Sequence, residues 1–161
     1  MSPFSSRIAF ALKSLVPAAV ASLLIACGPP PAEAFAGLYD VDGTATMTIQ
    51  LPDGPRTLTG NIQDSITVIE GSDSDLIVRL GSCNVPFNVD DYETALVQRG
   101  GSCVTMDGNT KVTMTFNSGS ILRTTDRVSQ MTLSADLDAV IDGATYPGTY
   151  KTNQTWTKTS K

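Results

Sequence analysis

Between Tyr39 and Leu51 the chain alternates. Tyr39, Val41, Gly43, Ala45, Met47, Ile49 and Leu51 hold the odd positions, and Asp40, Asp42, Thr44, Thr46, Thr48 and Gln50 the even ones. Period two puts the first set on one side of a strand and the second on the other, the pattern of a sheet with one dry face. Met131, Leu133, Ala135, Leu137, Ala139 and Ile141 repeat it against Thr132, Ser134, Asp136, Asp138 and Asp142, with only Val140 breaking the polar side. Val112, Met114 and Phe116 alternate in the same way with Lys111, Thr113, Thr115 and Asn117. Thr occurs 20 times, always after position 43, and its branched side chain suits the wet face of a sheet.

Turn residues separate these runs: Pro52-Asp53-Gly54-Pro55, Gly71-Ser72-Asp73, Asp107-Gly108-Asn109, Asn117-Ser118-Gly119 and Asp142-Gly143. Each tolerates positive φ or presets a turn. The spacing predicts strands near 38–51, 57–70, 75–81, 84–89, 94–99, 110–117, 119–124, 127–142 and 144–158. All the connections are short enough for hairpins, so neighbouring strands pair antiparallel. Eight or nine strands of this kind curl to hide their apolar face. The expected fold is all-β, an antiparallel meander that forms a small up-and-down barrel or a two-sheet sandwich. A transmembrane barrel shares the alternation with its dry face outward and carries aromatic girdles. An aromatic content of 6% argues against it.

The first 27 residues differ from the rest. A polar, basic start (Met1 to Lys13) precedes an apolar run from Ser14 to Ala26 and then Cys27. That order matches an export signal, and the run falls short of the ~20 residues needed to cross a bilayer. Leu24-Ile25-Ala26-Cys27 resembles the lipobox of bacterial lipoproteins, which implies a diacylglycerol on the Cys27 thiol and cleavage just before it. Two or three acyl chains hold a protein to a membrane almost permanently, since each buried methylene contributes ~0.8 kcal/mol. Gly28-Pro29-Pro30-Pro31-Ala32-Glu33-Ala34 has nothing to bury and reads as an extended spacer. The expected organisation is a signal peptide over 1–26, a lipidated cysteine and Pro-rich tether over 27–36, and an all-β domain over 37–161. In that bacterial family Asp after the cysteine often marks inner-membrane retention; Gly28 resembles the outer-membrane default.

Export places the domain where thiols pair. With Cys27 lipidated, Cys83 and Cys103 are left to form one disulfide, closing a loop of about 20 residues for roughly 3 kcal/mol. A redox role would more often use Cys-x-x-Cys beside a helix start.

Composition limits the chemistry. The chain has no histidine, which removes the commonest general base and zinc ligand. Arg7 and Lys13 are the only basic residues before Cys27, and all 16 carboxylates follow it. The exported part is therefore more acidic than the whole chain at −5 and repels nucleic acid. Asp136 and Asp138 share a strand face, with Asp142 further along, but a catalytic carboxylate needs an apolar setting and these alternate away from the dry face. Asp40-Val41-Asp42-Gly43 begins like a calcium loop, yet the twelfth position, where a bidentate acid belongs, is Leu51. Glu70, Asp73 and Asp75 form a looser acidic turn that reads as solvated. No metal and no cofactor are expected, and no enzymatic activity.

Aromatics supply the best hint of a ligand site. Tyr146, Tyr150 and Trp156 share one parity with Gly148 between them, which leaves room. Closure of the sheet would bring the last strand beside the first and add Tyr39. A cavity lined by Tyr39, Phe116, Tyr150 and Trp156 would accept a small apolar ligand, while core filling is the competing outcome.

Phe35-Ala36-Gly37-Leu38-Tyr39 resembles the Gly-x-Trp or Gly-x-Tyr opening of lipocalin-like (calycin) barrels. Over most of the mature chain the sequence is similar to small bacterial lipoproteins of the myxobacterial type. The shared marks are a lipobox, a Pro-rich spacer, Gly81-Ser82-Cys83, Gly101-Ser102-Cys103 and a Thr-rich closing meander. That group implies no particular activity. The resulting expectation is a cell-envelope lipoprotein held at the outer membrane by its lipid anchor. It binds or scaffolds, with a small apolar ligand or an envelope protein as partner. The other class is an inhibitor or adhesion module acting through a sheet edge or acidic loops.

Overall fold

The computed structural model describes residues 30–108 and 110–160; the expected signal peptide over 1–26 and the expected lipidation site Cys27 lie outside the described residues. A short helix, α1 (Pro31–Phe35), precedes β1 (Gly37–Leu51), β2 (Gly54–Glu70), β3 (Leu76–Leu80), β4 (Cys83–Val89) and β5 (Thr94–Val97). Then follow β6 (Ser102–Asp107), β7 (Thr110–Arg123), β8 (Val128–Ile141) and β9 (Ala144–Ser160). The nine strands form one antiparallel sheet in the order β5-β4-β3-β2-β1-β9-β8-β7-β6, and β5 also pairs with β7. The fold is therefore a barrel rather than a sandwich.

Closure is confined to one end. Thr94↔Leu122, Ala95↔Ile121 and Leu96↔Ser120 join β5 to the second half of β7. The first half of β7 pairs with β6 from Ser102↔Thr115 to Asp107↔Thr110, so β6 hangs outside the ring. Beyond the ring the order β2-β1-β9-β8-β7-β6 continues as an open, curled sheet. Among the described residues its two free edges are β6 and the first part of β2, which meets β3 only from Thr67 to Glu70.

The dry faces expected from sequence meet inside. Tyr39, Val41, Ile66, Val68, Leu76, Val78, Val85, Phe87, Phe116, Met131, Leu133, Ala135 and Trp156 belong to one buried cluster in the ring. A smaller cluster of Val112, Leu137 and Ala139 fills the open end with Met47, Ile49 and Ile141 against it. Burying each larger side chain contributes about 1.5–3 kcal/mol.

Four features differ from the sequence reading. Asn117 does not separate two strands; it is a bulge in β7, with Phe116 opposite Ala135 and Ser118 opposite Ser134. The stretch Ser102–Asp107, between the strands expected at 94–99 and 110–117, is itself a strand. Its Val104 and Met106 face outward and are exposed, so its alternation lacks the usual dry side. Consecutive pairing fails between β5 and β6, because β5 skips to β7. Finally, Pro31–Phe35, assigned to the spacer, are helical, and Phe35 is 1% exposed. Proline fits the first helical turn because its missing N–H has no intrahelical partner there.

This helix stoppers the closed end. The Tyr39 hydroxyl donates to the Phe35 carbonyl at 2.7 Å and Lys158 Nζ donates to the Ala34 carbonyl at 3.3 Å. The Arg123 guanidinium lies 5.6 Å from the centroid of the Phe35 ring.

Candidate functional site

β1 and β9 are neighbours, as closure requires, and bring Tyr39 and Trp156 to a ring separation of 5.7 Å. Tyr39, Phe116 and Trp156 are 3%, 1% and 1% exposed. They pack in the main cluster, and Tyr150 lies half-buried between the two clusters. Their polar ends are occupied by the protein. Trp156 Nε1 donates to Gln154 Oε1 at 2.7 Å, Gln154 Nε2 donates to Thr152 Oγ1 at 3.0 Å, and Thr152 Oγ1 donates to the Thr44 carbonyl at 2.8 Å. Thr152, Gln154 and Trp156 all fall on the inner face of β9, two residues apart, and all are buried. Among the described residues no buried side-chain nitrogen or oxygen lacks a partner. Burial pushes the phenols of Tyr39 and Tyr150 above their ordinary value, partly offset by Arg123 near Tyr39 and by the Thr152 hydrogen bond at Tyr150. The interior is thus built as a core around an internal hydrogen-bonded relay.

Gly148 does not open space among these aromatics. A Cβ there would run into the Thr48 backbone carbonyl, so the glycine permits close approach of β9 to β1.

Cys83 and Cys103 form a disulfide with a Cα separation of 5.4 Å. It ties β4 to β6, two strands that share no ladder, and Ser82 Oγ donates to Thr105 Oγ1 beside it at 3.3 Å. Asp136 and Asp138 are exposed on β8, as the alternation requires. Asp40 and Asp42 lie within β1 and accept hydrogen bonds from Ser65 and Gln63 of β2. At the acidic turn, Asp75 Oδ2 accepts from the Val89 N–H at 2.8 Å. Among the described residues no group of His, Cys, Asp and Glu is placed to hold a metal.

The larger recess lies on the outer wall. It is an open groove of about 770 Å³ that lies where β7 leaves β6 and joins β5, next to the bulge at Asn117. Ser118, Ser120, Thr132 and Ser134 supply hydroxyls along β7 and β8, and Leu96, Val97 and Leu133 supply apolar surface. Gly119 makes the close approach to β8 possible, since a Cβ would sit 2.7 Å from the Thr132 carbonyl oxygen. Arg99, Lys151 and Asp90 complete the lining. Neither the Arg99 nor the Lys151 side chain makes a hydrogen bond or ion pair with another described residue. The groove can therefore offer two cations and a row of hydroxyls to a ligand, with one carboxylate at its margin.

Sequence reasoning missed this groove. The odd parity of Lys151 on the last strand already places it on the outer face beside Ser134. Nothing local to Arg99 reveals that a turn after β5 packs near Ser118. No family model, curated protein or solved structure matches this chain.

Proposed function

We propose that this chain is a lipid-anchored, non-enzymatic binding protein of the cell envelope. Cys27 carries the anchor at the outer membrane, and the barrel binds its ligand on the outer wall. The anchor rests on the lipobox-like Leu24-Ile25-Ala26-Cys27 and the prolines that follow it. The observation that carries the binding role is the groove in which Arg99 and Lys151, whose side chains have no hydrogen-bond or ion-pair partner among the described residues, flank the hydroxyls of Ser118, Ser120, Thr132 and Ser134. That chemistry suits an anionic, hydroxyl-rich ligand such as an acidic saccharide. Cationic groups meet carboxylate or sulfate, and serine and threonine meet sugar hydroxyls. The barrel interior is the weaker candidate, because Tyr39, Phe116 and Trp156 are packed and satisfied there.

The test is calorimetric titration of the protein with an acidic oligosaccharide, a neutral one and a fatty acid. Binding of the acidic sugar alone, weakened about tenfold or more in Arg99→Ser/Lys151→Ser, supports the reading. Equal binding by that variant, or a fatty acid that binds and shifts Trp156 fluorescence, refutes it. Retention of Cys27→Ala in the membrane fraction would remove the anchor from the account.

A further inference from the structure

The free edge of β2 is complementary to itself. From Gly37↔Val68 to Leu51↔Gly54 the β1–β2 register runs unbroken. On the other side of β2 the ladder to β3 covers Thr67↔Arg79 to Glu70↔Leu76, and the Gly71 N–H donates to the Asp75 carbonyl at 3.2 Å as its next rung. Backbone groups along a strand point alternately to its two sides. Counting back by twos from Gly71, residues 65, 63, 61, 59 and 57 point their N–H and C=O groups to the open side. No described strand meets them there. Pro55, in the same set, has no N–H, and the Ser65 N–H is taken by Asp64 Oδ1 at 2.7 Å. The edge available for pairing is thus bounded at both ends, and its midpoint is Gly60.

A second copy approaching antiparallel must set odd residues opposite odd ones to form hydrogen bonds, so the permitted registers differ by whole steps of two. With the two-fold axis at Gly60, Thr57 faces Gln63 and Thr59 faces Asn61 as hydrogen-bonded pairs. On the inner face Leu58 meets Ile62 and Arg56 meets Asp64. Moving the axis to Thr59 or Asn61 sets Arg56 against Ile62 or Ile66, and Asp64 against Gly54 or Leu58. Only the Gly60 register opposes the charges and matches the apolar residues. Leu58 is 64% exposed in the single chain, and nothing lies within 4 Å of a Cβ at Gly60. Arg56 holds Asp53 in an ion pair exposed on both sides, a kind of contact that is readily exchanged.

We propose that the protein dimerises by two-fold antiparallel pairing of β2 with β2 of a second copy, with Gly60 on the axis. Such an interface is isologous: each Arg56 meets the other copy's Asp64, and the two sheets become one. The inference is independent of the groove, which lies on β4, β5, β7, β8 and β9.

Sedimentation equilibrium of the full chain, with Arg56→Asp, Asp64→Arg and the double reversal, tests it. The unchanged protein is expected to dimerise. Each single reversal is expected to raise the dissociation constant about tenfold or more by opposing like charges, and the double reversal to restore pairing. In a Cys27→Ala background, Gly60→Cys is expected to form a disulfide-linked dimer and Ile62→Cys not to, since only residue 60 faces its own copy. A monomer at every concentration, a double reversal that does not restore association, or cross-linking at 62 rather than 60 would overturn the proposal.

Discussion

Trp156 donates its indole N–H to Gln154 Oε1 at 2.7 Å, two residues away on the same inner face of β9. An indole N–H inside a barrel needs an acceptor, and a strand supplies one when its i+2 neighbour is polar and long enough. Replacing Gln154 by Leu leaves that donor without a partner, and a buried unmatched group costs about 1–3 kcal/mol. Urea unfolding followed by Trp156 fluorescence should show a lower midpoint and an unfolding free energy smaller by that amount. An unchanged midpoint would mean that the relay contributes nothing.

Gly148 lies where β9 crowds β1. Alanine there meets the Thr48 carbonyl, and relieving such an overlap by shifting backbone costs about 1–3 kcal/mol. The exposed neighbour Thr149 provides the control, since Thr149→Ala should stay within about 0.5 kcal/mol. Thermal melts of the two variants separate steric crowding from general intolerance of substitution in β9.

The Cys83–Cys103 bridge fastens a strand that ladder pairing secures on one side only. Replacing both cysteines by serine should lower stability by roughly 3 kcal/mol on loop-entropy grounds. The backbone amides of β6 should then exchange with solvent faster than those of β8. Uniform protection across both strands would show that the bridge is not what holds β6.

Tyr39 and Tyr150 have phenols raised above their ordinary value of 10.0, chiefly because burial disfavours the phenolate. A raised folded value means that the neutral phenols' contribution to stability is complete below pH about 10 and is lost as pH rises through the folded values. Alkaline titration of phenolate absorbance should therefore show a late-ionising fraction. In Tyr39→Phe, which also removes the bond to the Phe35 carbonyl, that fraction should shrink. A single transition at the ordinary value for all four tyrosines would contradict the packing of the closed end.

Legibility along the chain followed the presence of a dry face. The runs at 39–51 and 131–141 are readable because one parity is buried against a core over many residues. The Thr-rich opposite parity is readable for the same reason. Ser102–Asp107 was hidden because Val104 and Met106 face outward at an edge, which cancels the contrast that marks a strand. The helix at Pro31–Phe35 was hidden because its proline and alanines carry no periodic signal, and Phe35 is buried only through the barrel mouth it covers. Of the aromatics singled out as a site, the structure brings Tyr39 beside Trp156 and places Phe116 in the same cluster.

Local alternation by itself determined that the chain forms a curled antiparallel sheet with its oily side enclosed. Strand curvature and long-range pairing decided the rest. They set β7 to divide its length between β6 and β5, form the groove beside Arg99 and Lys151, and leave Pro55–Ser65 with no described strand on the side away from β1. Which strand stands next to which at an edge depends on residues far apart in the chain. A pattern of period two records only which side of a strand is dry.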